Sequence, residues 1–161
     1  METNQLPSQD YLRTLLIMHL GLIVGLVSFG TVVLFIVYSG GEWKDEIGIT
    51  TVLYYVIPAI TAGSMLVGNY VFNNKLLSLK ESNDLKLKLE TYRSTIIIRD
   101  AILEGSAFFS IVSVLLTGNI IFLSFAGIIV VYMIYLRPSK SSIIRDLSLS
   151  GQEAEIIDNL S

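Results

Sequence analysis

The sequence predicts an all-α membrane protein, a four-helix transmembrane bundle followed by a short C-terminal amphipathic helix. Three observations predict it. Of 161 residues, 52% are apolar and 16% charged, where a soluble domain carries roughly 25% charge, and the mean hydropathy is +0.65. The apolar residues gather into four runs, over 15–38, 50–72, 95–116 and 120–136. The basic residues lie almost entirely on one side of those runs.

The first run holds a single ionisable group, His19, and the second holds no charge. The third becomes charge-free after Glu104. A helix needs about 20 residues to cross a hydrocarbon core of ~30 Å. The first two runs clear that length. The fourth sits at the lower limit of about 17 residues and is expected to stand with little tilt. The first run far exceeds the apolar core of a signal peptide, roughly 7–15 residues, and no small-x-small cleavage site follows it. Only Thr117-Gly118-Asn119 separates the third run from the fourth. A re-entrant hairpin is the alternative there, but each arm is long enough to cross.

Arg13 precedes the first run. Lys75, Lys80, Lys86, Lys88, Arg93 and Arg99 fall between the second and third, and Arg137, Lys140 and Arg145 follow the fourth. Of the eleven basic residues only Lys44 lies on the opposite side, beside Glu42, Asp45 and Glu46. The positive-inside rule then puts both termini in the cytoplasm. Trp43, flanked by Tyr38 and Tyr54, suits the outer headgroup layer; Tyr70, Tyr92, Tyr132 and Tyr135 lie toward the inner one.

Over 73–95 the chain reads as a helical hairpin projecting into the cytoplasm, turning at Ser82-Asn83-Asp84. Leu76, Leu77 and Leu79 face Leu85, Leu87 and Leu89, with lysines near anionic lipid. The transmembrane domain is thus 1–137 and the cytoplasmic tail 138–161. In the tail, Ser150 and Glu153 have capping-box spacing ahead of an amphipathic helix carrying Ile156, Ile157 and Leu160. Such a helix more often packs on its own domain or on lipid than on a dedicated partner.

Shifting the sequence by 80 residues sets His19 on Arg99, Gly21 on Ala101, Gly25 on Gly105 and Phe29 on Phe109, while Ala62-Gly63 and Ala126-Gly127 recur in the second and fourth runs. The match is weak; read as a repeat, it describes two parallel hairpins. Small residues recur at helical spacing: the GxxxG pair Gly21 and Gly25, Ala59 and Gly63, Ser64 and Gly68, Ala101 and Gly105. These are candidate packing sites within the bundle or between copies of the chain. Pro58 removes a backbone hydrogen bond midway along the second run and is expected to kink it.

His19, Asn69, Arg99, Asp100 and Glu104 fall at similar depth near the inner leaflet. Ionisable groups there are costly, and usually pair or line a cavity. One reading is a proton or ion site with Glu104 titrating and His19 or Arg99 tuning it. The other, favoured here, is a structural network that fixes helix register, with Arg99 and Asp100 snorkelling to the headgroups. With no cysteine and one histidine, thiolate chemistry and a multi-histidine metal site are excluded. No basic patch with interleaved aromatics points to nucleic acid. No cofactor is expected, nor an enzyme, since no nucleophile–base pair or phosphate loop is visible.

Tyr92-Arg93, Ile96-Ile97-Ile98-Arg99, Ala101, Leu103-Glu104-Gly105, Ala107-Phe108, Leu116-Thr117-Gly118-Asn119 and Arg137-Pro138-Ser139-Lys140 carry a resemblance. Over its whole length the chain resembles an uncharacterised family of four-span inner-membrane proteins common in Bacteroidota-type bacteria. That implies a bacterial cytoplasmic membrane and no particular activity. More faintly, residues 57–116 are similar to the hairpin of the rotary ATPase proteolipid c subunit, where Glu104 matches the membrane carboxylate. The glycine ladder and Arg-Gln-Pro turn of that family are absent here, and two further spans flank the hairpin. The expectation is a structural or accessory membrane protein that contacts lipid and either self-associates or joins a membrane-protein partner. The alternative is a small proton or ion translocator using Glu104.

Overall fold

The computed structural model describes residues 10–40, 47–79, 84–149 and 151–158. Of these, 88% are helical and none forms a strand. Four longer helices come first: α1 (Asp10–Tyr38), α2 (Ile47–Leu77), α3 (Leu85–Thr117) and α4 (Ile121–Tyr135). Two short ones follow, α5 (Lys140–Asp146) and α6 (Gln152–Asp158). The helices α1, α2 and α3 are each long and apolar enough to cross a membrane. At 15 residues α4 is shorter than the expected fourth span. It reaches crossing length only together with α5, from which it is bent by 82°.

The packing partners fix the directions of the helices. Tyr11 meets Leu89, 78 residues on, and His19 meets Asp100, 81 residues on; Phe29 stacks on Phe108 at 4.7 Å. This near-constant offset means that α1 and α3 run parallel. Between α2 and α3 the order reverses, with Gly68 beside Arg99 and Phe72 beside Tyr92. Gly30 of α1 touches Leu123, while His19 touches Met133, so α4 runs opposite to α1. Up–down alternation therefore brings the start of α1 and the end of α4 to the same end of the bundle. α3 is its centre: half of its apolar window is buried, against 22% for α1 and 28% for α2. The outward faces of α1 and α2 are left for lipid or for another chain.

Two cores stack along the bundle. The larger contains Ile57, Leu103, Ala107, Val114, Phe122, Ile129 and Met133 from α2, α3 and α4, with Ile23, Leu26 and Val33 from α1. The other, at the terminal end, joins Leu15, Phe72, Leu76, Leu89, Tyr92 and Ile96 to Ile143, Leu147, Leu149 and Ile157. The tail thus shares a core with the helix ends. It is fastened there by Lys88, whose Nζ lies 3.1 and 3.2 Å from the two carboxylate oxygens of Glu153, and by Lys140, which donates to Asp158 O at 2.8 Å.

Local chemistry explains the breaks. Gly118 takes φ 68°, the left-handed region that glycine enters without a Cβ penalty, and its N–H caps Val114 O. Asn119 completes the turn, accepting from Ile121 N and donating to Tyr54 Oη at 2.7 Å. At the other end Pro138 disfavours helix at Arg137 and stops α4. Ser139 then starts α5 in a capping box with Ser142. The box predicted at Ser150 lies outside the described residues; Glu153, its expected partner, pairs with Lys88. Asp84 caps α3 through Lys86 N and Leu87 N, and α2 continues through Pro58. Of the leucines predicted to zip the hairpin, Leu76, Leu79 and Leu89 are buried, whereas Leu77 and Leu87 are exposed. Ser82, Asn83 and the outer loop with Trp43 lie outside the described residues.

Candidate functional site

The two cores meet at a layer of buried polar groups. His19 projects from α1 toward α3 and α4 and is 1% exposed; Asp100 is 1% and Arg99 5% exposed. His19 Nε2 lies 3.0 Å from Met133 O. That carbonyl can only accept, so Nε2 carries hydrogen and donates. His19 Nδ1 lies 2.6 Å from Asp100 Oδ2, a separation that needs one proton between the two atoms. The pair is therefore either imidazolium with carboxylate or imidazole with carboxylic acid. In both forms it is neutral as a unit and joins α1, α3 and α4 through one ring.

Arg99 is held differently. Its Nη2 donates to Leu136 O at 3.3 Å, and its Cζ lies 4.3 Å from the centroid of the Phe72 ring, within cation–π range. Its Nε is 3.8 Å from Asp100 Oδ1, too far for a hydrogen bond, and both atoms lack a hydrogen-bond partner. The missing Cβ of Gly68 leaves room for this side chain where α2 approaches closely: a Cβ there would lie 3.3 Å from Arg99 Cγ. Arg99 and Asp100 are thus drawn inward, contrary to the expectation that they snorkel out. Inside the bundle Arg99 meets Leu136 O and the Phe72 ring, and Asp100 meets His19.

The predicted layer divides into parts. His19, Asp100 and Arg99 come together. Asn69 is exposed and pairs separately, donating to Tyr132 Oη at 2.6 Å and tying α2 to α4. Glu104, half-buried one turn beyond Asp100, makes no hydrogen bond or ion pair among the described residues. His19 and Arg99 engage Asp100 and not Glu104. Tyr92, expected at the headgroups, is 1% exposed and donates to Asp146 Oδ2 at 3.2 Å. Tyr70 and Tyr135 do project outward.

Of the predicted packing glycines only Gly68 sits in a tight helix contact. Beside Gly21, Gly25, Gly63 and Gly105 a Cβ would meet nothing within 4 Å. Packing within the chain relies on hydroxyls instead. Ser106, Ser110, Ser113 and Thr117 are all buried along α3, as are Thr50, Thr61 and Ser64 on α2. Ser110, Ser113 and Thr117 return their protons to carbonyls four residues back; Thr61 Oγ1 and Ser106 Oγ have no partner among the described residues. The 4-3-4 spacing of that row was the available signal, since small hydroxyls let membrane helices approach as glycine does.

No family model, curated protein or solved structure matches this chain. The chemistry must be read from the cluster itself. It can hold one proton between a ring and a carboxyl, and it can bind three helices through groups that have no water to turn to.

Proposed function

We propose that this is a four-span protein of the bacterial cytoplasmic membrane, with both termini cytoplasmic, acting as a non-enzymatic structural or accessory component. In this reading it self-associates or joins a membrane complex through the outward faces of α1 and α2. The observation that carries it is the commitment of the buried polar groups. Both nitrogens of His19 are taken up in joining α1 to α3 and α4. Beyond that layer, Leu103, Ala107, Ile57, Ile129 and Val114 pack at 0% exposure. The hydroxyls of Ser110, Ser113 and Thr117 there bond to their own helix and not to one another.

A second reading, proton or ion translocation through Glu104, draws on that carboxyl's lack of a partner beside a proton-sharing pair. Two measurements on purified protein separate the readings. The first is mass in mild detergent, expected to exceed the 17.8 kDa of one chain. The second is proton flux in liposomes, expected to equal that of empty vesicles for the wild type and for Glu104→Gln alike. Flux abolished by that substitution would establish translocation and overturn the accessory reading.

A further inference from the structure

Beside the buried layer, between the ends of α2, α3 and α4 and the tail, lies a cavity of about 500 Å³. That falls within the range of roughly 300–1,000 Å³ typical of small-molecule sites. Arg99, Arg137 and Arg145 line it, with Asn73 and with Asp146 as its only carboxylate among the described residues. Asp146 is already engaged, accepting from Tyr92 Oη at 3.2 Å and from Arg145 Nε at 3.0 Å. Asp100, the other carboxylate near Arg99, is taken by His19. Among the described residues the lining therefore sets three guanidinium groups against one carboxylate, an excess of positive charge.

Arg99 gives the site its floor. It is 5% exposed, and among the described residues only its Nη2 makes a hydrogen bond; its buried Nε lies 3.8 Å from Asp100 Oδ1 without bonding to it. A buried guanidinium with unused donors is costly unless something charged meets it. Arg137 and Arg145 are exposed around it. The planar fork of arginine matches phosphate oxygens in pairs, which a lysine cluster would not do. Tyr135, 82% exposed at the rim, belongs to the aromatic belt of a membrane boundary.

We infer that the cavity framed by Arg99, Arg137 and Arg145 binds a phosphate group, supplied by a phospholipid headgroup or by free phosphate. The inference rests on the reading that this end of the bundle lies at the cytoplasmic membrane surface. Arg99 closes on the phosphate from within, the two outer arginines close from the tail, and occupancy fastens the α4–α5 elbow to α2 and α3.

Native mass spectrometry of the delipidated full chain in mild detergent tests this, using phosphatidylglycerol, diacylglycerol with the same acyl chains, and inorganic phosphate. Phosphatidylglycerol is expected to give a saturable one-to-one adduct, and diacylglycerol none. The double substitution Arg137→Gln and Arg145→Gln is expected to weaken that adduct by about tenfold or more, the scale of losing charge-assisted bonds. Displacement of the lipid by millimolar inorganic phosphate identifies free phosphate as the source; lipid retained under the same conditions identifies the headgroup. Equal binding of diacylglycerol, an unaffected double variant, or no binding of either phosphate source overturns the proposal. Should the double variant not fold, Arg99→Lys keeps the charge, removes the fork, and is expected to weaken binding too. Failure to resist alkaline extraction from membranes would instead count against the membrane reading, so the two failures are distinguishable.

Discussion

His19 and Asp100 make a pair whose value depends on both members being present. Removing either leaves a buried polar atom, His19 Nδ1 or Asp100 Oδ2, without the partner it has in the fold. Loss of one side of a buried pair costs about 3–5 kcal/mol, whereas replacing both by apolar groups is often close to neutral. His19→Leu and Asp100→Leu are each expected to destabilise by about 3 kcal/mol, and the double variant by less than either single one. Steric trapping or denaturant unfolding in detergent measures this cycle; simple addition of the two losses would show that the pair is not coupled. Asn69→Ala, by contrast, removes an exposed neutral contact and is expected to cost about 0.6 kcal/mol, the average for hydrogen bonds between membrane helices. The sequence made these residues conspicuous because ionisable groups stand out in an apolar run. It did not reveal the pairing. Asp100 and Glu104 lie four residues apart, a step that rotates a side chain by about 40° around the helix. That rotation takes Asp100 into contact with His19 and leaves Glu104 at the edge.

Helix by helix, the crossing of α2 over α3 is set at Gly68, where the neighbouring Arg99 leaves little room. Gly68→Leu is expected to force the two helices apart, costing about 1–3 kcal/mol as overpacking does, and to expose Arg99. Gly25→Ala meets open space and is expected to stabilise a single chain slightly, by up to about 1 kcal/mol, because alanine favours helix. Thermal unfolding of the two variants checks the contrast; equal effects would contradict the assigned crossing. If Gly25 lies in a contact between copies, the same alanine lowers the mass in detergent while leaving unfolding unharmed. Two boundaries were legible because they rest on local chemistry: the Thr117-Gly118-Asn119 turn and the stop at Arg137-Pro138; of the hairpin leucines, Leu77 and Leu87 are exposed. The route of the tail was not legible. Of its apolar residues only Ile156, Ile157 and Leu160 stood out, whereas Ile143, Leu147 and Ile157 share a core with Phe72, Leu89 and Tyr92. Which small residues pack inside was also hidden, because glycine at helical spacing looks the same whether it faces α3 or lipid.

For the whole molecule, the alternating directions of α1 to α4 follow from their contacts, and they bring both ends of the bundle and the tail to one side. The apolar faces of α1 and α2 need a bilayer or a partner to cover them, since an aqueous protein rarely exposes contiguous apolar patches beyond a few hundred Å². In the proposed arrangement the basic residues set the orientation, and the 15-residue α4 with its sharp elbow is the fourth span. The chain has no cysteine, so single cysteines introduced one at a time report without background. In intact cells a membrane-impermeant maleimide is expected to label Gly41→Cys and Ile120→Cys. Thr3→Cys, Ser82→Cys and Glu155→Cys are expected to react only after the membrane is opened. Labelling of Ser82→Cys or Glu155→Cys from outside, or protection of Ile120→Cys, would contradict the four-span arrangement.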